Sequence, residues 1–175
     1  DVFTIHKKWT LEFANVYARR CGIPFSINAR FDHMDEEIIS ALAKAGLSLV
    51  HCGIESGNEY MRNTVMLREQ TLQSIYKAAN LLKKYQVKLL TENVLGNPGE
   101  TFEMAMETLK LNMEIKPEIS NASIFAPYPG LQMTQYAIKG GYFDGNFDKL
   151  ESTYWDSSVL KFKKKSDERK IYNLR

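Results

Sequence analysis

The chain has 175 residues, 44% hydrophobic and 25% charged, enough for one domain with a real core. Its 23 basic and 21 acidic residues leave a formal charge of +2, too balanced for the whole surface to serve nucleic-acid binding. No apolar run reaches membrane-span length and no signal peptide opens the chain, while two cysteines are too few for a disulfide framework; together these point to a reducing, cytoplasmic setting.

The opening Asp1-Val2-Phe3-Thr4 lacks an initiator methionine and reads as the tail of a strand or its loop, which predicts a piece of a longer protein. From Lys7 to Arg20 apolar residues recur at helical spacing, Trp9, Phe13, Val16 and Tyr17, with Leu11 and Ala14 flanking. Gly22 stops that helix and Pro24 prevents its resumption. Phe25 to Arg30 alternates as a strand does, and Asp35-Glu36-Glu37 opens a second helix with acids where the positive dipole end lies. Gly46 caps it. Leu47 to Ile54 is a second strand with Glu55-Ser56-Gly57 as its exit loop, then a short helical turn from Glu59 to Asn63 and a long helix from Thr71 to Tyr85. Val87 to Leu95 is the third strand, followed by a helix from Thr101 to Ile115; Ser120 to Ala126 is the fourth, followed by a helix from Leu131 to Lys139.

Strand, loop and helix thus alternate at roughly 30-residue intervals, the pattern of βαβ units on a parallel sheet. Four such units predict an α/β fold built as a partial, TIM-like (β/α) barrel, since a closed eightfold barrel takes about 250 residues. The regularity ends near residue 143, so 1–143 is read as the barrel portion and 144–175 as a carboxyl-terminal extension. In that extension Tyr154 and Trp155 are scattered among polar residues, Val159 to Phe162 reads as an edge segment, and the lysines at 163–165 with Arg169-Lys170 form a basic tail on a solvated helix.

Ligands in such folds collect at the carboxyl ends of strands. Those places carry Asn28, Arg30 and Asp32; Glu55, Ser56 and Gly57; Gly96, Asn97, Pro98, Gly99 and Glu100; and Phe125, Ala126, Pro127 and Tyr128. Glycines at 96 and 99 let backbone approach a ligand, and Glu100 with Thr101 offers acceptors to the helix start. Arg30 can pair with a ligand carboxylate or with Asp32 or Glu55. Glu55 can accept hydrogen bonds from two adjacent hydroxyls, as on a ribose, or it can cap its turn or pair with Arg30. Phe125 to Tyr128 suits a flat heterocycle, with core packing as the competing reading. No residue is singled out as catalytic, and no metal-ligand spacing, P-loop, G-x-S-x-G or G-x-G-x-x-G is present. His51 and Cys52 are adjacent on a strand and point to opposite faces, while Cys21 is expected to pack in the interior near its helix end.

Asn28-Ala29-Arg30, Asp35-Glu36-Glu37, Gly53-Ile54-Glu55-Ser56-Gly57, Leu95 to Thr101 and Phe125 to Gly130 occur in an order that resembles the core domain of radical S-adenosylmethionine (SAM) enzymes. The nearest likeness is to cobalamin-dependent members such as methyltransferases and the anaerobic magnesium-protoporphyrin IX monomethyl ester cyclase. The resemblance implies a (β/α)6 barrel that binds SAM and a 4Fe–4S cluster and forms a 5′-deoxyadenosyl radical, for cyclisation, methylation or related C–H modification of a small-molecule substrate. It further implies that Glu55 contacts the SAM ribose with Ser56 beside it in the cofactor-binding loop, that Gly96 to Glu100 (Asn97, Pro98 and Gly99 between them) and Phe125, Ala126 and Tyr128 flank the adenine, and that Asn28 and Arg30 meet SAM's carboxylate end or the substrate. An electron donor such as flavodoxin or ferredoxin, and a separate cobalamin domain, are the partners it suggests.

The departure is the Cys-x3-Cys-x2-Cys loop that holds the cluster, which this chain lacks. Cys21 and Cys52 cannot replace three neighbouring thiolates, so the ligands are expected upstream and these residues alone are expected to be inactive. The alternative reading is a non-catalytic (β/α) module that binds a nucleotide or a partner.

Overall fold

The computed structural model describes residues 2–150 and 158–175; Tyr154 and Trp155 of the extension lie outside them. The elements follow in order α1 (Lys7–Arg20), β1 (Phe25–Ala29), α2 (Glu36–Lys44), β2 (Leu47–Glu55), α3 (Leu72–Lys84), β3 (Lys88–Leu95), α4 (Phe102–Ile115), β4 (Ile119–Ile124), α5 (Gln132–Lys139) and α6 (Lys165–Tyr172). The four strands form one parallel sheet in the order β1-β2-β3-β4, with Asn28 opposite His51 and Ala29 opposite Cys52. Sequential neighbours joined by helices are what βαβ connections produce.

Two compact units share these elements. The first comprises residues 2–54, 70–92 and 112–120. Its interior is built from the helix-facing positions of the strands, among them Val50, Cys52 and Ile54, and from Ile39, Leu42, Ile75 and Leu82, all nearly inaccessible. Asp35 caps α2 by accepting from the Ile38 N–H at 2.9 Å, as the acidic opening predicted, and Thr71 caps α3 by accepting from Ser74 N–H at 3.1 Å.

α1 corrects the sequence reading. The residues it buries are Thr10 and Ala14, whereas Trp9 is 51% exposed. Its rings pack on one another: Trp9 stacks on Phe13 at 5.7 Å, and Phe13 meets Phe3, Tyr17 and Phe25 at 5.0–5.7 Å. Cys21 is exposed at the helix end; a cysteine just past a helix terminus follows the turn outward, and short apolar size alone did not bury it.

The second unit comprises residues 55–69, 93–111 and the described part of 121–175. Leu95, Ala105, Ile124 and Ile171 form one buried cluster, and Phe125, Ala137, Phe143 and Leu160 another. α6 is therefore only partly solvated, since Ile171 and Asp167 are buried although its cations are exposed. Val159 to Phe162 is not a strand; Leu160 fills the second cluster and the Lys161 N–H donates to Tyr142 O at 2.7 Å. Apolar anchoring, not sheet pairing, fixes that segment.

Candidate functional site

At the end of β1, in the first unit, Arg30 makes a bidentate pair with Asp32: Nε and Nη2 donate to its two carboxylate oxygens at 3.0 and 2.9 Å. Burial raises the Asp32 carboxyl, but the guanidinium more than compensates and holds it below the usual carboxylate range. Asp32 is one of the partners open to Arg30 in the sequence, and the pair is formed. Asn28 lies exposed one residue before the strand ends. Cys52 faces the helices, fully buried, and burial pushes its thiol far above its ordinary value. Among the described residues no cluster of His, Cys, Asp or Glu could hold a metal ion.

At the end of β2, in the second unit, Glu55 sits at φ 66°, a left-handed conformation that costs a non-glycine residue about 1 kcal/mol or more. Its carboxylate pairs with Arg68 at 3.0 Å, a residue that no motif or spacing singles out. Ser56 is fully buried. Gly57 presses on α4: a methyl group there would lie 2.4 Å from the Glu107 carbonyl oxygen, and its N–H donates to Thr108 Oγ1 at 2.8 Å. Here glycine is required by close approach and not by its φ. The turn predicted after this loop is a π-helix over Tyr60–Val65, and inside it Arg62 is fully buried. Burial pulls the Arg62 guanidinium down, with the acids Glu59 and Glu107 opposing that effect.

At the end of β3 the chain turns at Gly96 (φ +71°) and Gly99 (φ +83°). Glu100 points back into this turn, where its Oε2 accepts from the Asn97 N–H at 3.0 Å. Thr101 performs the capping of α4, accepting from Met104 N–H at 3.3 Å. Glu100 is 5% exposed, and burial raises its carboxyl to about 7 against the hydrogen bonds from Asn97 and Gly96 that favour the anion. Two acceptors in this turn, Glu100 Oε1 and Asn97 Oδ1, are buried with no hydrogen-bond partner among the described residues. Buried acceptors are almost always satisfied, so this pair lowers the stability of the turn. Tyr142 closes over Gly99, where a methyl group would come within 2.9 Å of its hydroxyl, and its ring stacks on Tyr136 at 6.3 Å.

At the end of β4 the Phe125 ring lies in the core, and its backbone is also engaged: its N–H donates to Leu95 O at 2.8 Å and its carbonyl accepts from Ser158 Oγ at 3.0 Å. Ala126 is half-buried, and Tyr128 is 52% exposed with its carbonyl accepting from Thr134 Oγ1. Ser56, Gly57, Asn97 and Glu100 are therefore built into tight local frames, whereas Tyr128 is not.

Residues 2–111 match the radical SAM superfamily. The chain belongs to that superfamily. Among curated relatives it is 27% identical over 139 residues to an uncharacterized methyltransferase of Pyrococcus horikoshii, covering 79% of this chain and 30% of that protein. It is 29% identical over 129 residues to the anaerobic magnesium-protoporphyrin IX monomethyl ester cyclase of Rubrivivax gelatinosus, covering 72% and 23%. Among solved structures, the radical SAM methyltransferase TsrM of Kitasatospora setae with cobalamin and a [4Fe-4S] cluster bound aligns with a TM-score of 0.70 at 17% identity, over 79% of this chain and 27% of that one. Coproporphyrinogen III oxidase of Escherichia coli aligns at 0.59 and 18% identity, over 86% and 30%. These likenesses establish the partial barrel fold. The radical SAM chain spans under a third of the length of each of these proteins. Its superfamily implies SAM and a 4Fe–4S cluster, and no described helix is long and apolar enough to cross a membrane.

Proposed function

We propose that this chain forms the SAM-binding part of a radical SAM enzyme of the methyltransferase or cyclase kind, acting on a small molecule. The observation that carries the reading is the match of residues 2–111 to the radical SAM superfamily, with a glycine turn placed at the end of β3. Gly96 and Gly99 supply the left-handed backbone that shapes that turn, and Tyr142 covers Gly99. Asn97, Pro98 and Glu100 would hold the nucleoside with Phe125, Ala126 and Tyr128, while Glu55 and Ser56 would meet the ribose. Asn28 and Arg30 would serve SAM's carboxylate end or the substrate, with Asp32 fixing the guanidinium plane.

Bound SAM would supply this superfamily's radical chemistry, with a 4Fe–4S cluster as its source of electrons. The residues of this chain bind and orient the nucleoside and exclude water from it. They do not fit the cluster: Cys21 is exposed, Cys52 is buried with its thiol held protonated, and a third thiolate is lacking. The ligands would come from outside these 175 residues, which alone would be inactive. Residues 1–143 would be the barrel portion and 144–175 an extension. A cobalamin domain and a flavodoxin- or ferredoxin-like electron donor would complete the system, and the work would be done in the cytoplasm.

Two measurements test this. Anaerobic reconstitution of the intact protein with iron and sulfide should give about four irons per chain and reductant-dependent 5′-deoxyadenosine. Neither iron nor cleavage would turn the assignment over to a nucleotide- or partner-binding module. Glu55→Ala should weaken SAM binding about tenfold, as loss of hydrogen bonds to a charged group does, with little change in melting temperature. Unchanged affinity with a lowered melting point would make Glu55 a structural residue.

A further inference from the structure

A fully buried arginine is costly unless its donors are used, and a methionine or leucine would fill the Arg62 position between buried Met61 and Val65 at no such cost. The use is visible. Arg62 Nη1 donates to the carbonyls of both Ser56 and Gly57, at 2.9 and 3.0 Å. These are the first two carbonyls after Glu55, where the left-handed backbone has just carried the chain out of the sheet. The backbone of Arg62 is engaged as well: its carbonyl accepts from the Arg68 N–H at 3.0 Å. The wide π-helical turn, in which Met66 N–H reaches Met61 O, places the two arginines so. The Arg68 side chain then returns to Glu55 at 3.0 Å. A closed circuit results, running from Glu55 through Ser56 and Gly57 to the Arg62 guanidinium, along Arg62 to Arg68, and back by the ion pair.

Leu67 and Glu69, on either side of Arg68, both lie at φ 53°. Strained residues persist only where the surroundings fix them from several directions. The loop is gripped independently on its other side, where Gly57 N–H meets Thr108 Oγ1 and Asn58 Nδ2 donates to Glu107 Oε1 at 2.9 Å. Gly57 and Thr108 thus fix where the loop sits. Arg62 fixes how its carbonyls are turned, and so where the Glu55 carboxylate and the Arg68 guanidinium are presented.

We propose that Arg62 is a positioning residue that sets the orientation of Glu55 and Arg68 through its bonds to the Ser56 and Gly57 carbonyls and to the Arg68 N–H. The assignment rests on the reading of Glu55 as a SAM contact and deepens it: Arg62 touches no ligand and acts through Glu55.

The test is a double-mutant cycle in the intact protein, with SAM affinity by calorimetry and melting temperature as parallel readouts. Arg62→Met keeps the length and removes the donors; SAM should bind about tenfold more weakly, the size expected when a charged donor to buried carbonyls is lost. In Glu55→Ala/Arg62→Met the affinity should equal that of Glu55→Ala alone, because a residue acting only through Glu55 has nothing further to lose. Arg62→Lys, retaining charge and a donor without the planar fork, should lie between wild type and Arg62→Met with a near-native melting temperature. Additive losses in the double variant, or a lowered melting temperature with undiminished affinity in Arg62→Met, would overturn the proposal. If Arg62→Met does not fold, Arg62→Lys decides: weakened SAM binding at a near-native melting temperature upholds it and native affinity overturns it. Failure of the underlying reading shows separately, as unchanged SAM affinity in Glu55→Ala.

Discussion

The loops that follow β2 and β3 are held in different ways. After β2 the bonds converge on a strained residue: Glu55 meets Arg68, Arg62 meets two carbonyls and Gly57 meets Thr108, while the donor atoms Arg62 Nη2 and Arg68 Nε are buried with no hydrogen-bond partner among the described residues. After β3, Glu100 Oε1 and Asn97 Oδ1 are buried without partners, and the carboxyl of Glu100 is held near neutrality by burial. The first loop spends its bonds on holding a strained residue in one orientation. The second buries a carboxyl and an amide oxygen that take up fewer bonds than they could, at a cost in stability. The first fixes where a carboxylate points, and the second makes a turn whose strength depends on the protonation of Glu100.

Four variants sharpen that contrast, beginning with the largest effect. Gly57→Ala sets a methyl group 2.4 Å from the backbone oxygen of Glu107, and backbone cannot step aside. We expect a loss of about 3 kcal/mol or more in thermal or urea unfolding, if the protein folds; a loss near zero would show that the β2 loop is not clamped to α4.

The pH dependence of stability comes next. The Glu100 carboxyl is raised from 4.5 to about 7 in the fold, so between those values the native state binds more protons than the unfolded chain. Stability is then greatest below pH 4.5 and falls as pH rises toward 7, on the order of 3 kcal/mol from this group. Glu100→Gln should flatten that segment of the stability–pH curve. An unaltered slope would mean that burial does not hold the Glu100 carboxyl near neutrality.

Gly99→Ala is expected to cost about 2 kcal/mol, from the left-handed φ of +83° and the contact 2.9 Å from the Tyr142 hydroxyl. The Tyr142 ring is the far end of a side chain and can swing away, so Gly99→Ala/Tyr142→Leu should recover part of the loss; no recovery would assign the whole cost to backbone strain. The smallest effect is Glu69→Gly, which relieves a φ of 53° and should stabilise by about 0.5 kcal/mol in chemical denaturation. Destabilisation there would mean that the strain after Arg68 is illusory.

Much of this was legible in the residues. The alternation at Phe25 to Ala29, the acids opening α2 and the glycines after β3 each act within a few residues, and each element formed where expected. The turn of Gly96 to Glu100 was visible for the same reason. Arg62 was not, because a charged residue in a short helical stretch reads as solvent-facing until something shows it to be buried, and Arg68 was not, because its partner Glu55 lies thirteen residues away in the sequence. The α1 face misled in the other direction: its aromatic spacing is helical, but those rings pack largely on one another and Trp9 stays half exposed.

By itself, then, the sequence determined the order of strands and helices, the positions of the tight turns and the lack of three clustered thiolates, because propensity, capping and turn chemistry are local and composition is countable. Only the tertiary structure decided that Arg30 meets Asp32, that Glu55 meets Arg68, that Gly57 lies on α4 fifty-one residues away at Thr108, and that the Glu100 carboxyl is buried. Those are choices among several chemically equivalent partners, and the distances that make the choice exist only once the chain has packed.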